Sequence, residues 1–84
     1  MFETINCFPI IAMCFTPAYD GYGEGRIVLV DRGEKHDERY VVAWQAHGDS
    51  HGPYWYKAWE SARYCRTLKD ARKEFVKRVN KEPV

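Results

Sequence analysis

One amphipathic helix pattern, close to the C-terminal end of the chain, constrains the fold class most strongly. Apolar residues recur there at intervals of three and four, the spacing of one helix face, at Leu68, Ala71, Phe75 and Val79. Thr67 precedes the repeat, and threonine is a residue type that caps helix N-termini. We therefore expect a helix from Leu68 to about Val79 whose apolar stripe is buried.

The chain before this helix is strand-like. The segments that favour strands are residues 10–16, 26–31, 39–46 and 54–65. The first three are apolar on both faces, so we expect residues 10–16 to be buried on both sides and residues 26–31 to be central. A short connector between the second and third segments favours an antiparallel pair.

These elements predict an α+β fold in which a small antiparallel sheet of about four strands carries one C-terminal amphipathic helix on one face. A chain of 84 residues has room for one domain, so residues 1–84 are expected to form a single small α+β domain. One helix covers one face only. The other face is then solvated, closed by the N-terminal segment 1–9, or used for binding.

The aromatic content favours binding on that face. Aromatic residues make up 15% of the chain, and exposed aromatic patches usually mark contact sites. Aromatic residues and arginine also contribute most to interface energies. We therefore expect a non-enzymatic protein-binding module whose candidate contact residues are Trp44, Trp55, Tyr56, Trp59, Arg63 and Arg66.

The charge distribution supports an alternative. The net charge is only +1, but the first 56 residues carry an excess of acid and the remainder an excess of base. A basic C-terminal helix beside an aromatic strand suggests nucleic-acid binding through Lys69, Lys73, Lys77 and Lys81. The near-zero net charge and the lack of a nucleic-acid motif weigh against it. The same uneven charge is compatible with a homodimer.

No segment carries a catalytic or cofactor motif. His47, Asp49 and His51 could bind a divalent metal, but no second ligand pair follows, so a solvated loop is the better interpretation. Cys65 lies beside Arg66 and near a helix N-terminus, which would lower a thiol pKa. No catalytic signature surrounds it, and packing is its expected role. We expect no catalytic residue, cofactor or metal.

The three cysteines, Cys7, Cys14 and Cys65, lack paired spacing and favour free thiols in a reducing compartment. No positive charge precedes the N-terminal apolar run, which is also too short to cross a bilayer. We therefore expect a cytoplasmic protein with no membrane partner. No motif identifies a family. Compactness and aromatic richness resemble, in composition alone, the short inhibitor or adaptor proteins of phages and mobile elements.

Overall fold

A computed structural model of the chain describes residues 4–5, 7–16, 24–46 and 59–80. The elements in chain order are β1 (Thr4–Ile5), β2 (Phe8–Thr16), β3 (Gly25–Asp31), β4 (Tyr40–Ala46), β5 (Glu60–Cys65) and α1 (Leu68–Asn80). The strands form one antiparallel sheet in the order β1-β2-β3-β4-β5, and α1 packs on one face. The predicted α+β class is confirmed. The sheet has five strands instead of about four, because the two-residue β1 pairs with the start of β2.

The two middle strands are buried on both faces of the sheet. β3 and β4 pair in register, with Val28 opposite Ala43 and Leu29 opposite Val42. Alternate side chains along each strand point to opposite faces, so each strand contributes to two separate cores. Residues 26–31 are therefore central, as their sequence predicted.

The helix-side core lies between the sheet and α1. Its buried residues are Ile27, Leu29, Val42, Cys65 and Ala71. The predicted stripe of α1 packs against it, and Thr67 caps the helix by accepting a hydrogen bond at Oγ1 from the amide of Asp70 at 3.1 Å. Such a cap contributes about 1 kcal/mol to helix stability.

The far-side core lies on the opposite face. Its buried residues are Ile5, Ile10, Val28, Val30, Val41 and Ala43. Phe8, Trp59 and Ala62 pack at its margin. The N-terminal segment thus helps to close the second face, one of the alternatives that the sequence left open. The middle of that face is fully buried and is not an exposed aromatic surface.

Strand β2 differs from its prediction. Residues 10–16 were expected to be buried on both sides, but Ile11, Met13 and Phe15 are exposed. Among the described strands, only β1 pairs on the outer side of β2, and it reaches no further than Pro9. The register also shifts between Ile10 and Ala12, which leaves Ile11 as an extra residue in a bulge. β2 is therefore largely an edge strand.

A charged side chain is buried on the far side of the sheet. Arg26 is only 1% exposed and stands opposite Gln45, which is 2% exposed. The guanidinium Nε donates to Gln45 Oε1 at 2.7 Å, and Nη1 lies 3.0 Å from Met13 Sδ. A buried cation is tolerated only when hydrogen-bond acceptors replace its lost water, which is what Gln45 does here.

A bulge in β5 places Trp59 and Cys65 on opposite sides of the sheet. Glu60 stands opposite Trp44, but Arg63 stands opposite Val42, so β5 has one residue more than β4 over this stretch. Ser61 takes the left-handed conformation there, with φ 53°. The extra residue reverses the alternation of faces. Trp59 consequently packs on the far-side core while Cys65 belongs to the helix-side core.

Because of the positive φ of Ser61, we expect glycine at this position of the strand to stabilise the protein. Ser61→Gly should raise the free energy of unfolding by about 1 kcal/mol, because glycine adopts positive φ without a steric penalty. Ser61→Val should lower it, since a β-branched residue fits that conformation worst. Urea denaturation measures both changes.

Glu60→Gly is the matched control on the same exposed strand end. Its backbone has no positive φ, so glycine there should destabilise the protein by about 0.5–1 kcal/mol. If Ser61→Gly destabilises as much as Glu60→Gly, the bulge is not the source of the strain.

Candidate functional site: a groove between β5 and α1

A groove of about 480 Å³ lies beside β5 and under the first turns of α1. Positively charged, negatively charged, aromatic and thiol side chains all contribute to its lining. The lining residues are Glu38, Arg63, Tyr64, Cys65, Arg66, Asp70, Lys73, Glu74 and Lys77. The groove is built by two consecutive elements of the chain, a strand and the helix that follows it.

The strand wall of the groove is the outer edge of β5. Side chains of a strand alternate between faces, so a groove on one face would be lined by every second residue. Here four consecutive residues, 63–66, all line it. Among the described strands β5 pairs only with β4. The groove therefore runs along the side of β5 where no neighbouring strand is described.

The helix wall is one face of α1. Its lining residues are Asp70, Lys73, Glu74 and Lys77, spaced by three and four residues as neighbours on a helix surface are. The cap at Thr67 and the buried Ala71 fix the orientation of this face. The apolar stripe of α1 is held on the helix-side core, which leaves the charged face toward β5.

Most of the groove's positive charge is not neutralised by ion pairs. The Glu74 carboxylate accepts a hydrogen bond from Arg78 Nε at 2.7 Å and lies 3.9 Å from Arg63 Nε. Among the described residues, Arg66, Lys73 and Lys77 form no ion pair. Arg63 itself is 65% exposed. The groove lining thus holds four cations and three carboxylates, and one of the carboxylates, Glu74, is engaged by Arg78.

The pKa of Glu74 reflects these neighbours. Burial alone would raise the pKa of this carboxyl, because it disfavours the charged form. The hydrogen bond from Arg78 and the charges of Arg78, Arg63 and Lys77 outweigh burial, so the pKa lies below its usual value. Glu74 therefore stays ionised beside Arg78 and Arg63.

Tyr64 forms the aromatic border of the groove. It is 41% exposed on β5. Its hydroxyl accepts a hydrogen bond from Trp59 Nε1 at 3.3 Å, and the Arg32 guanidinium lies 4.8 Å from its ring centre. Arg32 Nε also donates to the carbonyl of Glu38 at 3.1 Å. Tyr64 is not among the contact residues predicted from the sequence, although a tyrosine between two arginines is a usable signal.

The structure brings together residues that the sequence assigned to two different functions. Arg63 and Arg66 were candidates for protein contact, and Lys73 and Lys77 for nucleic-acid contact, yet all four line this groove. Lys69 is exposed but is not part of the lining.

Two of the three tryptophans lie in different cores. Trp44 packs on the helix-side core and donates from Nε1 to Thr16 Oγ1 at 3.1 Å, whereas Trp59 packs on the far-side core. They therefore belong to opposite faces of the sheet. The candidates Trp55, Tyr56 and Lys81 lie outside the described residues.

The structure gives no support to Cys65 as a nucleophile. Burial raises the pKa of the thiol and outweighs the opposing effect of Arg63, so the thiol is protonated at neutral pH. Its 6% exposure is that of a packing residue. All three cysteines are free thiols.

Within the described ranges, no group of three or more histidine, cysteine, aspartate or glutamate residues is arranged to hold a metal ion. The loop with His47, Asp49 and His51 lies outside those ranges. The described part of the chain also has no helix able to cross a bilayer, since α1 has only 13 residues.

Comparison with known proteins finds no relative of this chain. No protein-family model matches it, and neither the curated proteins nor the solved structures give a significant match. The function therefore has to be argued from the groove itself.

The ionised Glu74 predicts a specific acid sensitivity. Its pKa is lower in the folded than in the unfolded protein, so it stabilises the fold above the unfolded pKa. That contribution is lost as pH falls through the folded pKa. Between about pH 7 and pH 3, wild-type protein should lose more free energy of unfolding than Glu74→Gln does, by about 0.5 kcal/mol.

Urea denaturation at the two pH values measures this difference. Arg78→Met removes the hydrogen-bond donor while keeping an apolar stem, and should show the same reduced loss. An equal loss in wild type and both variants would contradict the assignment of the low pKa to this pair.

Proposed function

We propose that this protein is a non-enzymatic protein-binding module whose contact surface is the groove between β5 and α1. One observation carries the proposal: Arg63, Arg66, Lys73 and Lys77 line a single groove along the outer edge of a strand. Among the described residues, three of these cations, Arg66, Lys73 and Lys77, form no ion pair. Beside an open strand edge they offer a partner both charge and backbone hydrogen bonds.

The composition of the groove favours protein over nucleic acid as the partner. Glu38, Asp70 and Glu74 share the lining with the four cations, and each would repel a phosphate backbone. A protein surface can place cations opposite these carboxylates and anions opposite the bases. Tyr64 adds an exposed aromatic of the type that dominates interface energies.

Small size and free thiols support the rest of the proposal. A standard interface of about 800 Å² per partner fits on the surface of a chain of 84 residues, which suits an inhibitor or adaptor that acts by occupying a partner. Three free cysteines fit a reducing compartment, so the cytoplasm is the proposed location.

Charge reversal in the groove tests the proposal. Tagged wild-type protein and the double variant Arg63→Glu/Arg66→Glu are used to capture proteins from a lysate of the native host, and the captured proteins are compared by quantitative mass spectrometry. We expect the double variant to lose at least about tenfold of the specific partner, because each reversed charge at an interface acts by about 1 kcal/mol or more.

Lys69→Glu is the matched control, since it reverses a charge on the same helix outside the groove. It should capture the partner as wild type does. Circular dichroism and urea denaturation establish that all variants are folded. A partner retained equally by the double variant would exclude the groove as the contact surface.

Nucleic-acid binding is the second candidate, favoured by the position of Lys73 and Lys77 opposite Arg63 and Arg66 in one groove. It predicts that a fluorescent single strand binds with an affinity that falls steeply between about 50 and 200 mM salt. Lys73→Glu/Lys77→Glu should abolish that binding. Fluorescence anisotropy measures it, and no binding at the lowest salt would exclude this candidate.

A further inference from the structure

We infer that the groove accepts an acidic segment of the partner in extended conformation, which adds to the outer edge of β5 as a new strand. This inference rests on the proposed function and names the chemistry of its partner. Charge complementarity and the open edge of β5 carry it.

The backbone of β5 is available for pairing on its outer side. Among the described residues β5 pairs with β4 alone, and no other backbone hydrogen bond of residues 60–65 is found there. A strand edge presents alternate N–H and C=O groups that an extended peptide can satisfy. The bulge at Ser61 disturbs the start of β5, whereas residues 63–65 pair regularly with β4.

The dimensions of the groove fit one short strand. Residues 63–66 supply the strand wall, about 10 Å long at about 3.3 Å per residue. The helix wall from Asp70 to Lys77 spans about 10 Å at about 1.5 Å per residue. A partner segment of about four residues would therefore lie between the two walls, paired to β5 on one side and facing α1 on the other.

The charges of the groove select an acidic segment. Glu74 is shared between Arg78 at 2.7 Å and Arg63 at 3.9 Å. Glu38 and Asp70 are the other carboxylates that oppose the lining cations Arg63, Arg66, Lys73 and Lys77. A basic segment would leave its own charges beside those cations, while a neutral one would leave the cations without partners. An acidic segment is stabilised both by pairing of its backbone with β5 and by attraction of its side chains to these cations.

The two ends of the groove differ in charge, which gives the partner a direction. Tyr40 stands opposite Cys65, so the Glu38 end of the connector lies beside the last residues of β5. Asp70 is in the first turn of α1, immediately after that end. Arg63, near Glu74, marks the other end, together with Lys73 and Lys77. The acidic residues of the partner should therefore cluster at the Arg63 end.

Peptide binding to the intact protein tests the inference. The probe is a short end-blocked peptide that alternates valine and glutamate. We expect chemical-shift changes and slowed amide exchange at residues 62–66. We also expect the affinity to fall at least about tenfold in Arg63→Glu, with Lys69→Glu unchanged.

Two control peptides separate strand pairing from charge alone. One replaces glutamate with lysine and should not bind. The other keeps glutamate but carries N-methyl groups on alternate amides, which blocks strand pairing, and should bind at least about tenfold more weakly. Equal binding of either control would overturn the inference, as would stronger binding of a single-stranded oligonucleotide at the same residues.

The inference and the proposed function fail in distinguishable ways. If no acidic peptide binds, yet the Arg63→Glu/Arg66→Glu variant still loses the captured partner, strand addition is wrong and the binding module stands. If that variant captures the partner normally, the groove is not the contact surface, and both are wrong. Far-ultraviolet circular dichroism of each variant shows that losses of binding do not come from unfolding.

Discussion

The architecture depends on the burial of β3 and β4 on both faces of the sheet. Apolar side chains on both sides of a strand must be covered on both sides, and the described part of the chain contains one helix. α1 covers one side, while Ile5, Phe8 and Trp59 from the two ends of the sheet help to cover the other. The positions of the N-terminal hairpin, the β5 bulge and the helix all follow from this demand.

Local patterns predicted the parts of the fold that local interactions determine. The helix, its Thr67 cap and the central position of residues 26–31 follow from spacing and residue type. The exposure of Ile11, Met13 and Phe15 was not predictable in this way, because it depends on where β2 lies in the sheet.

The positions of the bulges could not be predicted from the sequence pattern either. Serine is not a residue type that indicates positive φ, so nothing in the sequence marks the conformation of Ser61. The burial of Arg26 depends on Gln45, which lies on another strand.

The candidate groove was predictable in its residues but not in its assembly. Arg63 and Arg66 were noticed for their position after an aromatic segment, and Lys73 and Lys77 for their helix phase. Their convergence requires the chain to reverse at Thr67, so that α1 runs back beside β5. Trp44 and Trp59, which were expected to share one contact surface, instead pack against separate cores on opposite faces of the sheet.

The bulge in β5 decides which face of the sheet the residues before it occupy. If β5 paired regularly with β4 through position 61 and kept all its residues, every upstream side chain of that strand would turn to the other face. Trp59 would then compete with α1 for space, and Glu60 would point into the far-side core. Loss of residue 61 would also restore regular pairing, but Glu60 would stay opposite Trp44 and Trp59 would stay on the far side. The strand can therefore gain or lose this one residue without any change in its neighbours.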